Sequence, residues 1–366
     1  MSRETMMKAK LQVCSRRVRA VLVGLAVIGA ATAWTEPATA QKKPLEGQQV
    51  VLYTFGGTQL ETTRELVIKP FEQETGAKVI VDDSCCQRLQ AALESGQFIG
   101  DVIVGLDRGG MLARDAQGMF IHDPRLEKIA RDHKAPEPYP SKAMLILHSY
   151  SYVIGAKDQS VPMTKNWAEF WDVAKFPGAR GLIRINPTVQ LEAALVADGV
   201  KGDALYPLDV DRAFKKLTDL RKSTKIIINA SGADMINNLG TGETTYAITY
   251  SNRAFLARKD GIKINFTYDD GFLVGNGGAI LKGAKNVDGA VAFLEYHARP
   301  DVLARFAERT GMAPAYPASA ALIAPEYRSM MPTAPENIGK QHIVNDEYWQ
   351  QNFKVLGQKW VEWMAQ

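Results

Sequence analysis

Residues 50–108 read VVLYTFGGTQLETTRELVIKPFEQETGAKVIVDDSCCQRLQAALESGQFIGDVIVGLDR. Val50–Tyr53 is a short apolar run of strand length. A helical pattern starts near Thr58, carries Leu60, Val67 and Phe71, and ends at Gly76. Lys78–Val81 is a second strand, and Gln87–Glu94 is helical, with Leu89 and Leu93 four apart. Val102–Val104 is a third strand. Strand, helix, strand, helix, strand implies an α/β fold with a parallel sheet and helices on both faces. In such sheets ligands bind outside the carboxyl ends of the strands. That rule selects three loops: Phe55-Gly56-Gly57-Thr58, Asp82-Asp83-Ser84-Cys85 and Leu106-Asp107-Arg108. Gly57 lets backbone approach a ligand, and Thr58 can cap the helix behind it.

The middle of the chain repeats this logic. Leu182–Ile185 is a strand followed by Asn186-Pro187-Thr188 and a helix through Leu191, Ala194 and Leu195. Lys225–Ile228 leads through Asn229-Ala230-Ser231-Gly232 into a helix ending at Gly240. Thr245–Thr249 leads to Tyr250-Ser251-Asn252-Arg253. These elements form a second α/β lobe, and two lobes facing each other leave a cleft, the usual place for a small ligand.

The N-terminus stands outside this pattern. Six basic residues lie within 1–19, an uncharged run follows from Ala20 to Ala33, and Ala38-Thr39-Ala40 is a small-x-small site. Together these read as a secretory signal peptide cleaved after Ala40, which places the protein in the periplasm. Ala31-Thr32-Ala33 is an earlier candidate site. Ser15-Arg16-Arg17 hints at twin-arginine export, although Arg19 stands where such signals want an apolar residue. No cysteine follows the apolar run where a lipid anchor would attach. Beyond residue 40 the chain carries 38 basic and 38 acidic residues. The overall basicity therefore belongs to the signal and gives no support for nucleic-acid binding. Of the three cysteines, Cys85 and Cys86 remain in the exported chain. Neighbouring Cα atoms are about 3.8 Å apart, below the usual disulfide span. A strained vicinal bridge and two loop thiols are both open readings.

At 166–182 the text NWAEFWDVAKFPGARGL resembles a segment of solute-binding proteins in the spermidine/putrescine-binding class of ABC importers. Three further segments agree in order: FEQETG with KVIV from Phe71, TYAITYSNRAFLARKDG from Thr245, and ARPDVLARFAERTGMAPAYPAS from Ala298. The resemblance implies a two-lobed periplasmic-binding-protein fold of type II, with two crossing hinge strands near Ser149–Val153 and Tyr250–Arg253. Lobe 1 would comprise 41–149 and 252–312, and lobe 2 150–251 and 313–366. It also implies a monomer that hands its ligand to the membrane permease of an ABC importer after the hinge closes.

Polyamine binders of this class hold amines with carboxylates and flat aromatics. At the corresponding positions this chain has Phe55 with Gly57 and Thr58, then Arg108 beside Asp107, then Asn186. Tyr250 keeps an aromatic, with Asn252 and Arg253 next to it, and Phe272–Gly277 holds no acid. Arginine suits a carboxylate because its planar fork meets both oxygens. The expected ligand is accordingly an amino acid, an ω-amino acid or a small organic acid, with a polyamine or ferric ion as alternatives. Asp107, Asp83 or Asp234 can receive an amine at the far end. The expected contacts are Phe55, Gly57, Thr58, Asp107, Arg108, Tyr152, Asn186, Ser231, Tyr250, Asn252 and Arg253. Tyr150 and Tyr152 alternate with serine, so both lie on one strand face. Trp167 and Trp171 are four apart and read as core.

No nucleophile–base motif, H-E-x-x-H or C-x-x-C is present, so no enzyme and no cofactor are expected. Gly275-Asn276-Gly277-Gly278 lacks the strand–turn–helix context of a dinucleotide site.

Overall fold

The computed structural model of the protein describes residues 42–84, 95, 97, 100–185 and 187–366. The signal segment 1–40, the helix expected at Gln87–Glu94, Cys85, Cys86 and Asn186 lie outside the described residues.

Strand β1 (Gln49–Tyr53) leads into α1 (Thr58–Thr63), a π turn (Arg64–Ile68) and α2 (Lys69–Thr75). Thr58 is the first helical residue, not the cap; Gly57 holds the capping position at φ 76°. Gly76 ends α2 in the left-handed region, as the sequence requires. Then come β2 (Lys78–Asp82), β3 (Val102–Asp107), α3 (Arg108–Asp115), α4 (Pro124–Asp132) and the twelve-residue β4 (Leu145–Ala156). The second half runs α5 (Trp167–Trp171), β5 (Arg180–Ile183), α6 (Thr188–Ala197), a 3-10 turn (Gly202–Leu205) and α7 (Val210–Ser223). It continues with β6 (Ile226–Asn229), α8 (Gly232–Thr241), β7 (Tyr246–Tyr250), α9 (Ser251–Lys259) and β8 (Asn265–Ile280). Helices α10 (Val287–His297) and α11 (Pro300–Thr310), strand β9 (Ala313–Pro314), short helices α12 (Pro317–Leu322), α13 (Pro325–Arg328) and α14 (Pro335–Ile338), strand β10 (His342–Ile343) and the long α15 (Asp346–Met364) complete the chain.

The main strand order is β2-β1-β3-β8-β4-β7-β5-β6. At one end β1 pairs parallel with β2 and β3. At the other, β5 pairs parallel with β6 and β7. These two parallel sets are the two α/β halves expected from the alternation. Between them run the long antiparallel β4 and β8. Leu145–Tyr152 pair with the later part of β8, and Ile154–Ala156 with its beginning. The strand that runs back along β4 is thus β8. Tyr250–Arg253, expected as the second crossing, is the end of β7 and the first turn of α9. The Gly275–Gly278 run lies inside β8, where neighbours close in from both sides. A Cβ on Gly277 would stand 2.0 Å from the Leu145 carbonyl, and one on Gly278 2.5 Å from that of Ile103. Close strand approach, not nucleotide binding, explains these glycines.

Trp167 is fully buried and donates its indole N–H to the Asp270 carbonyl at 2.7 Å, as its helical spacing from Trp171 foretold. A second buried polar feature links β4 to α10. His148 and His297 face each other with Nε2 atoms 3.1 Å apart, and His148 stacks on Phe306. Neither Nδ1 has a hydrogen-bond partner. Burial, and for His148 also the neighbouring ring, holds both below the ordinary imidazole range; His297 is lowered to about 3. Depressed folded values mean stability present above the unfolded pKa and lost as pH falls below it. Between pH 7 and pH 5 His297 alone should remove about 2 kcal/mol. Urea denaturation of wild type and His297→Leu at both pH values measures this; equal slopes with pH would refute it.

Candidate functional site

The ends of β3 and β7 and the middle of β4 meet at a cavity of about 340 Å³. Phe55, in the loop after β1, forms one edge. Asp107, Tyr152 and Tyr250 form the floor, and Val274 of β8 lies beside them. Thr188 opens α6 at another edge, and Asp346, Trp349 and Phe353 of α15 complete the wall. Each of the first four sits where the strand-end rule or the β4 alternation placed it. Register explains the pairing of two of them: Tyr152 lies directly opposite Tyr250 in the β4–β7 ladder.

Three tyrosine rings cluster around one carboxylate. Tyr150, Tyr152 and Tyr250 have ring centroids 5.1–5.7 Å apart. The Tyr150 hydroxyl donates to both Asp107 oxygens, at 2.9 and 2.8 Å. Asn276 Nδ2 donates to the Gly105 carbonyl at 2.9 Å and to Asp107 Oδ1 at 3.2 Å. Burial raises the Asp107 pKa, with the Tyr150 and Asn276 hydrogen bonds pulling the other way. Burial also raises all three phenols, which resists the ionised state that a ferric tyrosinate needs. A carboxylate that is costly to keep charged and lies beside a cluster of aromatic rings suits an ammonium group, which supplies the counter-charge and can meet a ring as a cation–π partner.

Arg108, expected as an anion clamp, is committed elsewhere. Buried at the start of α3, it donates to Asp346 Oδ2 at 3.2 Å and to Glu347 Oε1 at 2.8 Å. Two carboxylates on one guanidinium leave no net positive charge for a ligand. Arg253 differs. It is exposed in the first turn of α9 and has no carboxylate within ion-pair distance among the described residues. Its side chain lies against Gly232 at the start of α8, since a Cβ there would stand 3.2 Å from Arg253 Nε. Ser231 caps that helix by accepting from Asp234 N–H at 3.2 Å. Arg253 is also close enough to Tyr250 for its charge to act on that phenol. Arg253, Ser231, Asn252 and Gly57 are not in the lining of the 340 Å³ cavity. Thr58 is placed by its backbone alone, at the start of α1.

Several contributors carried no local signal. Thr188 stands in the loop that the sequence places before the helix through Leu191, and is in fact that helix's first residue. Asp346, Trp349 and Phe353 belong to α15, whose sequence DEYWQQNF is an ordinary amphipathic opening. Their place at the cavity depends on packing against segments more than a hundred residues earlier.

Among the described residues no helix is long and apolar enough to cross a membrane. Residues 67–333 match the family model described as bacterial extracellular solute-binding protein. The γ-aminobutyric acid-binding protein of Pseudomonas aeruginosa is 28% identical over 331 residues, 87% of this chain and 92% of that one. The spermidine/putrescine-binding periplasmic protein of Escherichia coli (strain K12) is 24% identical over 200 residues, 50% of this chain and 56% of that one. The solved structure of the Atu4243-GABA receptor superposes with a TM-score of 0.79 and 29% identity, over 86% of this chain and 97% of that one.

Proposed function

This chain belongs to the family of bacterial extracellular solute-binding proteins, and from that premise we propose that it captures a small ω-amino acid such as γ-aminobutyrate for an ABC importer. The observation that carries the reading is the half-buried Asp107 carboxylate within its three-tyrosine cluster, at a cavity with the volume of a small-molecule site. The ligand ammonium sits against Asp107 and the ring faces. Its carboxylate extends past Tyr250, beyond the cavity lining, toward Arg253 and the N-terminus of α8, where guanidinium and helix dipole both favour an anion. Two relatives whose names state γ-aminobutyrate add support.

The wider reading follows from the same premise. Residues 1–40 are a signal peptide removed near Ala40, and the exported protein works as a monomer in the periplasm. Its partners are the ligand and a membrane permease; it binds no nucleic acid and catalyses no reaction. Ligand binding closes the two lobes about the β4–β8 seam. A polyamine is the second reading, favoured by the same carboxylate and rings, which serve any alkylammonium equally.

A thermal-shift panel on ligand-stripped mature protein separates the two. A ligand at one hundred times its Kd adds about 2.7 kcal/mol of stability, which moves Tm by several degrees. A shift with γ-aminobutyrate and none with spermidine supports the ω-amino acid; the reverse overturns it. Arg253→Ala should weaken γ-aminobutyrate by roughly tenfold, the loss of one charge-assisted contact, and leave its folding intact. Calorimetry showing an unchanged Kd would remove Arg253 from the site.

A further inference from the structure

Glu192 is the most deeply buried acid near the cavity. It lies on α6, one turn beyond Thr188, and has no solvent exposure. A buried carboxylate is costly, and an apolar side chain of similar size would usually pack there at no loss of stability. What the acid supplies is directed hydrogen bonding. Its Oε1 accepts the indole N–H of Trp349 at 2.7 Å and also the hydroxyl of Tyr206. The Tyr206 oxygen in turn accepts the Asn345 backbone N–H at 3.1 Å. Glu192 Oε2 has no hydrogen-bond partner, so all of its bonding is directed at the first turn of α15 and at the residue that braces it.

Trp349 is buried and forms part of the cavity wall. A tryptophan in that wall presents a large flat apolar face, which suits the methylene chain between two charged ends of a ligand. The same helical turn is gripped on its other flank by Arg108, through Asp346 and Glu347. The wall is thus anchored from α6 and from α3 at once, and only the α6 anchor bonds the ring itself.

We infer that Glu192 is a positioning residue for ligand capture, holding the Trp349 ring in the cavity wall and so setting affinity for the uncharged middle of the ligand. This rests on the reading of the cavity as the ligand site. The groups that face Glu192 are Tyr206 from beyond the 3-10 turn, Asp346 and Tyr348 on α15, and Tyr152 on β4. Burial, the dominant cause, pushes Glu192 up to about 8 and Asp346 up to about 6. A raised carboxyl means stability present at low pH and lost as pH rises through the folded value. Gln in place of Glu192 keeps an acceptor oxygen and removes that titration.

The test uses the full mature protein with γ-aminobutyrate as probe. Calorimetry should give Glu192→Gln a Kd within about twofold of wild type, and Glu192→Ala a Kd roughly tenfold weaker. Trp349→Phe, which loses the indole N–H, should also weaken binding, and the Glu192→Ala/Trp349→Phe pair should be no weaker than Glu192→Ala alone. Unchanged Kd in both single variants, or strictly additive losses, would overturn the inference, because a purely structural role moves Tm and not this coupling. The fluorescence that Trp349→Phe removes gives an independent readout on the empty protein. It should change in Glu192→Ala and stay as in wild type in Glu192→Gln; an unchanged signal in Glu192→Ala would overturn the inference without reference to any ligand. If the wild type binds neither γ-aminobutyrate nor spermidine, the ligand reading falls and the fluorescence result stands by itself.

Discussion

Asp107→Asn is expected to weaken γ-aminobutyrate binding about a hundredfold while raising the stability of the empty protein at neutral pH. The two effects have one origin. Asp107 is held by Tyr150 and Asn276, yet burial still raises its pKa. A raised carboxyl loses stability as pH climbs from the unfolded to the folded value and carries the full cost above it, so the neutral amide relieves that cost and keeps an acceptor for Tyr150. The same neutrality removes the counter-charge from the ammonium end of the ligand. Loss of a buried charge-assisted pair is worth roughly 2–3 kcal/mol, close to two decades in Kd. Calorimetry and a thermal melt on one preparation check both halves. Unchanged affinity would mean that the ammonium sits elsewhere. Lowered affinity without raised Tm would mean that Asp107 is ionised at little cost.

Arg180→Ala should be the most damaging single truncation in the second half of the chain, at about 4 kcal/mol. Arg180 is fully buried, with no carboxylate partner among the described residues. Its guanidinium donates to the carbonyls of Phe170 at 2.7 Å, Gly178 at 2.6 Å and Phe176 at 2.5 Å. It also lies 4.7 Å from the Tyr246 ring centroid and 5.3 Å from that of Phe170. Desolvation lowers its pKa to about 10, still well above neutrality. Removing it strands the carbonyls of Phe170 and Phe176, while that of Gly178 keeps the Thr224 hydroxyl, and opens a large void. Lysine cannot reach all three in the planar arrangement that a guanidinium gives, so Arg180→Lys should lose most of the same stability. Urea unfolding measures both variants, and a loss below about 1 kcal/mol for Arg180→Ala would show that water or neighbouring side chains replace the guanidinium.

Arg180 also shows why one stretch of sequence was so informative. The segment NWAEFWDVAKFPGARGL carried the resemblance to solute-binding proteins, and its residues are architectural. Asn166 caps α5 by accepting from the Glu169 N–H at 2.9 Å, and Trp167 is buried. A Cβ on Gly178, at φ 123°, would stand 2.2 Å from Thr245 Oγ1. Such features are local, so a linear reading finds them. The strand–helix alternation is local too, and with the strand-end rule it located Phe55, Asp107 and Tyr250. Arg108 shows the boundary of that approach. Its position was found, but its partners lie 238 and 239 residues away on α15, so its charge was assigned to a ligand. Glu192 and Trp349, 157 residues apart, escaped notice for the same reason. Nothing beside either residue in sequence indicates what faces it.

Strand β4 does two jobs on its two faces. Tyr150 and Tyr152 point to the carboxylate and the cavity. Ser151, between them, donates its N–H to Ser251 at 3.0 Å and its hydroxyl to Gln341, on elements that pack at the middle of the sheet. A period of two separates ligand recognition from mechanical linkage within three consecutive residues. For protein engineering this amounts to independent controls. Both serines are buried, so small substitutions along that side, such as Ser151→Ala, change the linkage and leave the recognition chemistry as it stands. That makes β4 a natural starting point for altering how readily this chain responds to its ligand without altering what it recognises.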